Sequence, residues 1–250
     1  MENRYLRKTR MLDYGNARIK GLVKERKWEA LDEYQKIGAI YDYVRNDIRF
    51  GYNRSDLLSA DEVLSDGYGQ CNTKATLLMT LLRAVGIPCR LHGSEVDKHF
   101  QEGVTSGIIA ALAPDTVVHT WAEVCYQGRW IALEGVITDE PYICAIKRQY
   151  WENEGPFAHC AISVPDLQGL SLEWKGTDIF VQNGSVVKDY GVFDDPDTFF
   201  EIHPQTWNKI KDLAYVHYGR KKMNRTVGEI RALNQEDGFT LTVASSANTP

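Results

Sequence analysis

The sequence predicts a mixed fold in which helices precede antiparallel strands, and three observations carry that prediction. Trp28, Leu31, Tyr34, Ile37, Tyr41, Val44 and Ile48 recur every three or four residues, the spacing of one apolar helical stripe. A second stripe, Leu77, Leu78, Leu81, Leu82 and Val85, is closed by Gly86 and Pro88. Beyond Pro88 the period changes from 3.6 to 2, the signature of strands.

Taken in order, residues 1–27 form a polar N-terminal segment with scattered apolar positions and no clear period. The helix from Trp28 ends at Gly51 and Asn53. Ser59-Ala60-Asp61-Glu62 has capping-box spacing, so a short helix starts at Ala60 and stops before Gly67. Gly67-Tyr68-Gly69-Gln70-Cys71 then leads into the buried helix over 72–85, with Cys71 at or just before its first turn. Cys89–Gly93 reads as a strand. The β-branched and aromatic run Val117–Tyr126 reads as a longer one. Gln127-Gly128 is a two-residue turn, and Arg129–Val136 is the returning strand. Residues 94–116 make an excursion long enough for a lid or a hidden helix. Further strands are expected between Tyr150 and Asn183, and one or two helices between Phe199 and Ala232. Asp194-Asp195-Pro196-Asp197 reads as a turn and helix cap, and residues 244–250 as a frayed tail. No Pro/Gly/Ser-rich linker intervenes, so 28–145 is read as the core and 146–250 as an extension of the same domain.

Composition bounds the function. The chain has 250 residues, 43 % hydrophobic and 25 % charged, which suits a globular protein with a buried core. A formal net charge of −5 argues against a nucleic-acid partner. No apolar run approaches the roughly 20 residues of a membrane span. The charged start, Met1 to Lys8, is not followed by an apolar stretch, so no secretory signal and no membrane partner are expected. Five cysteines (71, 89, 125, 144 and 160) include no CxxC pair, which disfavours zinc and fits reduced thiols in the cytoplasm. His159, His203 and His217 show no metal spacing, and Arg220-Lys221-Lys222 with Arg225 reads as a solvated helix face.

One cysteine stands apart. A helix N-terminus carries a partial positive charge and unpaired N–H groups, which favour a thiolate at Cys71 and can hold an oxyanion. Gly67 and Gly69 would allow a sharp approach to that helix and a close substrate. If the hairpin turns at Gln127-Gly128, Trp121 faces Glu134 and His119 faces Val136. His119, Trp121 and Glu134 then share one face. His119 and Glu134 are diagonal neighbours, about 7 Å apart at the backbone and within imidazole–carboxylate reach. A one-residue change of loop length would put Glu134 on the other face. A thiol, an imidazole and a carboxylate in this order make a nucleophile, its base and the acid that orients the base.

These residues also carry a resemblance. Gly69-Gln70-Cys71, Ala75-Thr76-Leu77-Leu78 and Leu82-Arg83-Ala84-Val85-Gly86-Ile87-Pro88-Cys89-Arg90 resemble the nucleophile segment of the transglutaminase-like superfamily. His119-Thr120-Trp121-Ala122-Glu123-Val124 resembles its histidine strand, and Trp130-Ile131-Ala132-Leu133-Glu134 its third strand. The resemblance covers about residues 35–140, with the blocks in the family's order. It implies a papain-like α+β fold, a nucleophile helix packed on an antiparallel sheet, and a Cys-His-Asp triad acting on amide bonds. By position Cys71 is the nucleophile, His119 the base and acid, and Glu134 the orienting carboxylate. The chain departs from the family in having Glu134 where Asp is usual, and Asp139 is the lower-ranked substitute. The Cys71 backbone N–H is the expected oxyanion donor, with Gln70 as a second candidate, and Tyr68 and Trp121 are expected at the substrate cleft. His92 and His99 are read as loop histidines.

Three functions follow from the resemblance: a protease or amidase-type hydrolase, a transglutaminase or amide synthase that uses an amine acceptor, and an inactive binding module. The partner in each is a protein, a peptide or an amide-bearing small molecule. Some relatives use calcium, but the chain has no EF-hand loop. With no nucleotide or flavin fingerprint either, no metal and no cofactor is expected.

Overall fold

A computed structural model describes residues 4–105, 113–204 and 213–233. Residues 106–112 of the predicted excursion, the predicted helical positions Trp207 and Ile210, and the tail at 244–250 lie outside the described residues. The fold is mixed α+β. Helix α1 (Ala17–Arg26) and a 3-10 turn at Trp28–Ala30 precede α2 (Glu33–Asn46). The predicted helix thus begins later than Trp28. Lys27 takes a left-handed φ of 55° and breaks the run, and Asp32 then caps α2 by accepting from Gln35 N at 2.8 Å. Strand β1 (Arg49–Phe50) pairs in parallel with β2 (Tyr68–Gly69), with α3 (Ala60–Asp66) between them in sequence. Ser59 and Glu62 form the expected capping box, and Gly67 ends α3 with a φ of 70°.

Helix α4 (Cys71–Ala84) is the centre of the molecule. Leu77, Leu78, Leu81 and Leu82 are fully buried, each such side chain contributing about 1.5–3 kcal/mol on leaving water. Every residue from Asn72 to Arg83 is buried, so the polar side chains among them need partners. Lys74, with no exposure, donates to Arg45 O at 3.0 Å and Ile137 O at 3.1 Å. Arg83 donates to Cys89 O at 2.9 Å and to the carbonyl of Asp194, which ties the second half of the chain to the end of α4.

The main sheet has the order β5–β4–β3–β8, all antiparallel, from β3 (Cys89–Asp97), β4 (Thr116–Tyr126), β5 (Arg129–Ala132) and β8 (Val186–Phe193). Gln127 and Gly128 make the predicted two-residue turn, both at positive φ as a type I′ turn requires. The returning strand is shorter than expected. It stops at Ala132, and Glu134–Ile137 forms a single 3-10 turn. The segment around Ile179 takes the place of further pairing: Ile179 N donates to Ala132 O and Gly135 N to Ile179 O, both at 2.9 Å. Half of β4, the half carrying His119, is therefore left without β5 beside it.

The remaining elements are α5 (Glu140–Gln149), the hairpin β6 (Phe157–His159) and β7 (Ile162–Val164), α6 (Pro196–Ile202), a π-helical turn at Tyr215–Gly219, and α7 (Arg220–Ala232). Asp195 caps α6 through Thr198 N at 2.8 Å, as its sequence predicts. Among the described residues no helix is long and apolar enough to cross a membrane.

Candidate active site

Cys71 is the first residue of α4, so its N–H belongs to the unpaired set at a helix start. The next residue, Asn72, fixes where that start sits. Its Nδ2 donates to Val118 O at 3.2 Å and its Oδ1 accepts from Thr120 Oγ1 at 3.0 Å. Val118 and Thr120 flank His119 on β4. Two hydrogen bonds therefore hold the helix start beside His119, and the Cys71 Sγ lies 3.6 Å from Asn72 Oδ1.

His119 and Glu134 meet, although Glu134 lies on the 3-10 turn beyond β5 and not on the strand the hairpin register predicts. The Nε2···Oε1 distance is 2.6 Å, and both side chains are fully buried. The second oxygen of Glu134 accepts three backbone N–H groups: Val181 at 2.6 Å, Gln182 at 2.9 Å and Asn183 at 3.2 Å. These amides explain the glutamate. One carboxylate has to bridge the imidazole and a loop 47 to 49 residues away in sequence, and the extra methylene gives it that reach. Three donors on Oε2 fix the orientation of the carboxylate and leave Oε1 facing Nε2. Nδ1 is buried and closes no hydrogen bond. Burial opposes protonation of the ring, but the neighbouring Cys71 and Glu134 outweigh it, and His119 is pushed up to about 10.

Asp139 is engaged elsewhere. It caps α5 through Tyr142 N at 3.1 Å, accepts from Phe50 N at 2.8 Å, and binds Arg231 of α7 at 2.7 and 2.9 Å. Burial works against its charge, Arg231 outweighs that, and its carboxyl is held low.

The sequence expectations for the surroundings need correction. A cavity of about 340 Å³ opens beside Cys71. Its walls are mostly apolar, among them Phe50, Tyr52, Val118, Phe200, Tyr215 and Met223. Tyr68 and Trp121 do not line it. Tyr68 accepts a hydrogen bond from Arg220 at 2.8 Å. Trp121 is buried between two imidazoles, stacked on His92 at 4.2 Å and tilted against His119 at 5.6 Å. Gln70 does line the cavity, yet its amide is committed: Oε1 accepts from Asn53 N at 2.8 Å and Nε2 donates to Asp56 Oδ1 at 2.9 Å. Gly69 does not make room for a substrate. A Cβ there would stand 2.8 Å from side-chain atoms of Thr73 and Lys74, so its missing side chain lets α4 close on the strand. Nor is His92 a loop histidine, since it lies on β3 between Glu123 and Asp189.

Sequence reasoning missed Asn72, Asp56 and the three amides at 181–183. Asn72 had a signal, a polar residue on a helix otherwise destined for burial. The amides had none, because any backbone offers N–H groups and only the fold brings these to Glu134.

The five cysteines are all free. Burial pushes Cys89 and Cys144 up to about 11, with Glu140 adding to the effect at Cys144. Cys160 is raised by burial as well. Such thiols stay protonated at neutral pH. Among the described residues no group of His, Cys, Asp or Glu is arranged to hold a metal ion.

No curated protein matches the chain. A solved structure described as "a Putative Cysteine Protease from Cytophaga hutchinsonii" matches with 16 % identity and a TM-score of 0.44, over 77 % of this chain. The chain spans about half (47 %) of that structure's length. Residues 21–135, the stretch holding Cys71, His119 and Glu134, match the transglutaminase-like superfamily. The likeness to the transglutaminase-like superfamily is carried by that stretch, a little under half of the chain.

Proposed function

We propose that the protein is a cysteine-nucleophile hydrolase of peptide or side-chain amides, with Cys71 as nucleophile, His119 as proton carrier and Glu134 as orienting carboxylate. The observation that carries this reading is the sealed His119–Glu134 contact of 2.6 Å, whose free ring nitrogen is left for the neighbouring thiol. In the reaction, the Cys71 proton passes to His119 Nδ1 and the thiolate attacks the amide carbonyl. The oxyanion that forms is held by the Cys71 N–H at the start of α4. The imidazolium gives its proton to the leaving amine as the C–N bond breaks, and a thioester remains. Water then attacks the thioester while His119 takes its proton, and the acid and the thiol are released.

The test is the rate of Cys71 alkylation by iodoacetamide against pH, with peptide mapping to separate Cys71 from the other four thiols. In the wild type Cys71 should react readily at pH 6. His119→Ala should slow that reaction by about tenfold or more, because the imidazolium that favours the thiolate is gone. Equal rates at pH 6 in the two proteins would overturn the reading and leave a binding module.

A further inference from the structure

We infer that Asp56 is the recognition site for a protonated amine carried by the substrate, so that the cavity beside Cys71 takes an apolar group bearing an ammonium. The inference rests on the proposed role of Cys71 and extends it to the class of ligand.

Asp56 lines the cavity and is attached to the nucleophile's own neighbours. Gln70, immediately before Cys71, donates to its Oδ1 at 2.9 Å. Asn72, immediately after Cys71, is its other hydrogen-bonding influence. A carboxylate tied to the residues on both sides of the thiol shares its cavity with any group bound there. Among the described residues no Lys, Arg or His pairs with it. Arg54 is the one cation among the described lining residues, and it is exposed and spent on Glu62 at 2.6 Å and Asp66 at 3.7 Å. The hydrogen bonds to Asp56 come from neutral amides, which orient a carboxylate without balancing its charge. Burial raises its pKa, and the hydrogen bonds from Asn72 and Gln70 offset only part of that. A ligand ammonium in the cavity would supply that counter-ion through a charge-assisted hydrogen bond. The aromatic wall formed by Phe50, Tyr52, Phe200 and Tyr215 fits an apolar body on the same ligand.

The ammonium has two possible sources, the acyl donor and the acyl acceptor. A donor with a free α-amine would make the enzyme act at peptide N-termini. A diamine acceptor would attack the thioester through one nitrogen and rest the other on Asp56.

The first experiment needs no turnover. Methanethiosulfonates react with a thiolate to form a mixed disulfide and release methanesulfinate. The rate at Cys71 is measured by peptide mapping with the cationic 2-aminoethyl reagent and with the neutral methyl reagent. The cationic-to-neutral ratio should exceed that at half-buried Cys125 of the same protein, and Asp56→Asn should lower it by about tenfold, the effect of one short-range charge pair. The comparison with Cys125 stands on wild-type protein alone if the variant does not fold. A ratio at Cys71 no higher than at Cys125, or unchanged in Asp56→Asn, overturns the inference. This failure is separate from that of the hydrolase reading, which the response of Cys71 to His119→Ala decides.

Two activity arms then assign the source. One compares phenylalanyl-aminomethylcoumarin with its N-acetylated form. The other compares putrescine with butylamine as acceptors toward a glutamine peptide. A preference for the cationic member that Asp56→Asn abolishes supports the inference and names the source by the arm in which it occurs. No preference in either arm overturns it.

Discussion

Two imidazoles flank the Trp121 indole, and each is paired with a carboxylate. On one side His119 meets Glu134 with both side chains sealed from water. On the other, His92 lies between Glu123 at 2.8 Å and Asp189 at 2.9 Å, and the Asp189 side chain is 65 % exposed. The chemistry of the two pairs is alike, but their spare capacity differs. His92 has both ring nitrogens occupied by carboxylates, and Glu123 is further held by Arg90 at 2.6 Å. His119 has one nitrogen occupied and one left over, with Cys71 as its neighbour. A ring bonded at both nitrogens braces a structure, whereas a ring bonded at one can move a proton. What separates them is the chain end that reaches each pair: β8 brings Asp189 to His92, and the start of α4 brings a thiol to His119.

The largest effect should come from removing the cradle of the sealed pair. Glu134→Ala leaves three backbone N–H groups and an imidazole without their acceptor in a dry interior. The expected loss is about 3–5 kcal/mol of unfolding free energy, read by urea denaturation, together with a fall in Cys71 alkylation at pH 6. Glu134→Asp sharpens the point. If the extra methylene is what spans His119 and the 181–183 amides, aspartate should recover only part of both losses. Full recovery would mean that the reach of glutamate is unimportant.

How much of this pair was legible in the sequence depended on which forces decide each part. The hairpin was legible because the turn residues Gln127-Gly128 fix its register over Glu123–Tyr126 and Arg129–Ala132, whereas Glu134 reaches His119 from the 3-10 turn beyond that ladder. The start of α4 was legible from its apolar run and its closing glycine. The end of β5 was not, because strand propensity continues through Val136 while the Ile179 segment, remote in sequence, takes over the hydrogen bonds. The cleft was misjudged for a related reason. Trp121 and Tyr68 are near the site in sequence, but the cavity wall comes from the chain near Tyr52, from Phe200 and from the π-helical turn. Which distant side chains converge is a property of packing, and periodicity does not record it.

Asp139 breaks the comparison in another way, since it is a buried carboxylate paired with a cation rather than with a histidine. Asp139→Ala should cost about 3 kcal/mol, because it leaves Arg231 half-buried without its partner, while Cys71 alkylation at pH 6 stays as in the wild type. A loss of reactivity to match Glu134→Ala would make Asp139 part of the site. The pH dependence has a definite sign. The folded-state pKa of Asp139 is depressed, so its stabilising contribution is present above the unfolded value, about 4, and is lost as pH falls through the depressed folded value. Acid unfolding of the wild type should show this loss and that of Asp139→Ala should not.

Asn72 tests the brace rather than the pair. Asn72→Ala removes the bonds to Val118 and Thr120 that set the helix start against β4, together with the hydrogen bond to Asp56. About 1–3 kcal/mol of stability should go with them. The His119–Glu134 contact does not depend on them, so reactivity should fall because the thiol is less well placed and not because the imidazole has changed. A Cys71 alkylation rate that falls several-fold at every pH, with its pH dependence unaltered, is the expected signature. A shifted pH dependence would assign Asn72 an electrostatic role instead.

The smallest effect should come from the exposed pair. Burial opposes the charge on His92, but Glu123 and Asp189 outweigh it, and the folded-state pKa is raised above the ordinary 6.5 or so. A raised pKa in a histidine means that its contribution is fully present below the unfolded value and is lost as pH rises through the folded one. His92→Gln should therefore be less stable than wild type at pH 6, by about 1 kcal/mol or less given the partial exposure. The gap should narrow as the pH is raised into the alkaline range, and salt should narrow it further. Cys71 alkylation separates bracing from chemistry. If His92 only supports the indole behind His119, the variant keeps the wild-type pH dependence of Cys71 reactivity. If that dependence moves, charge on one side of Trp121 is felt on the other, and the two pairs act as one electrostatic unit.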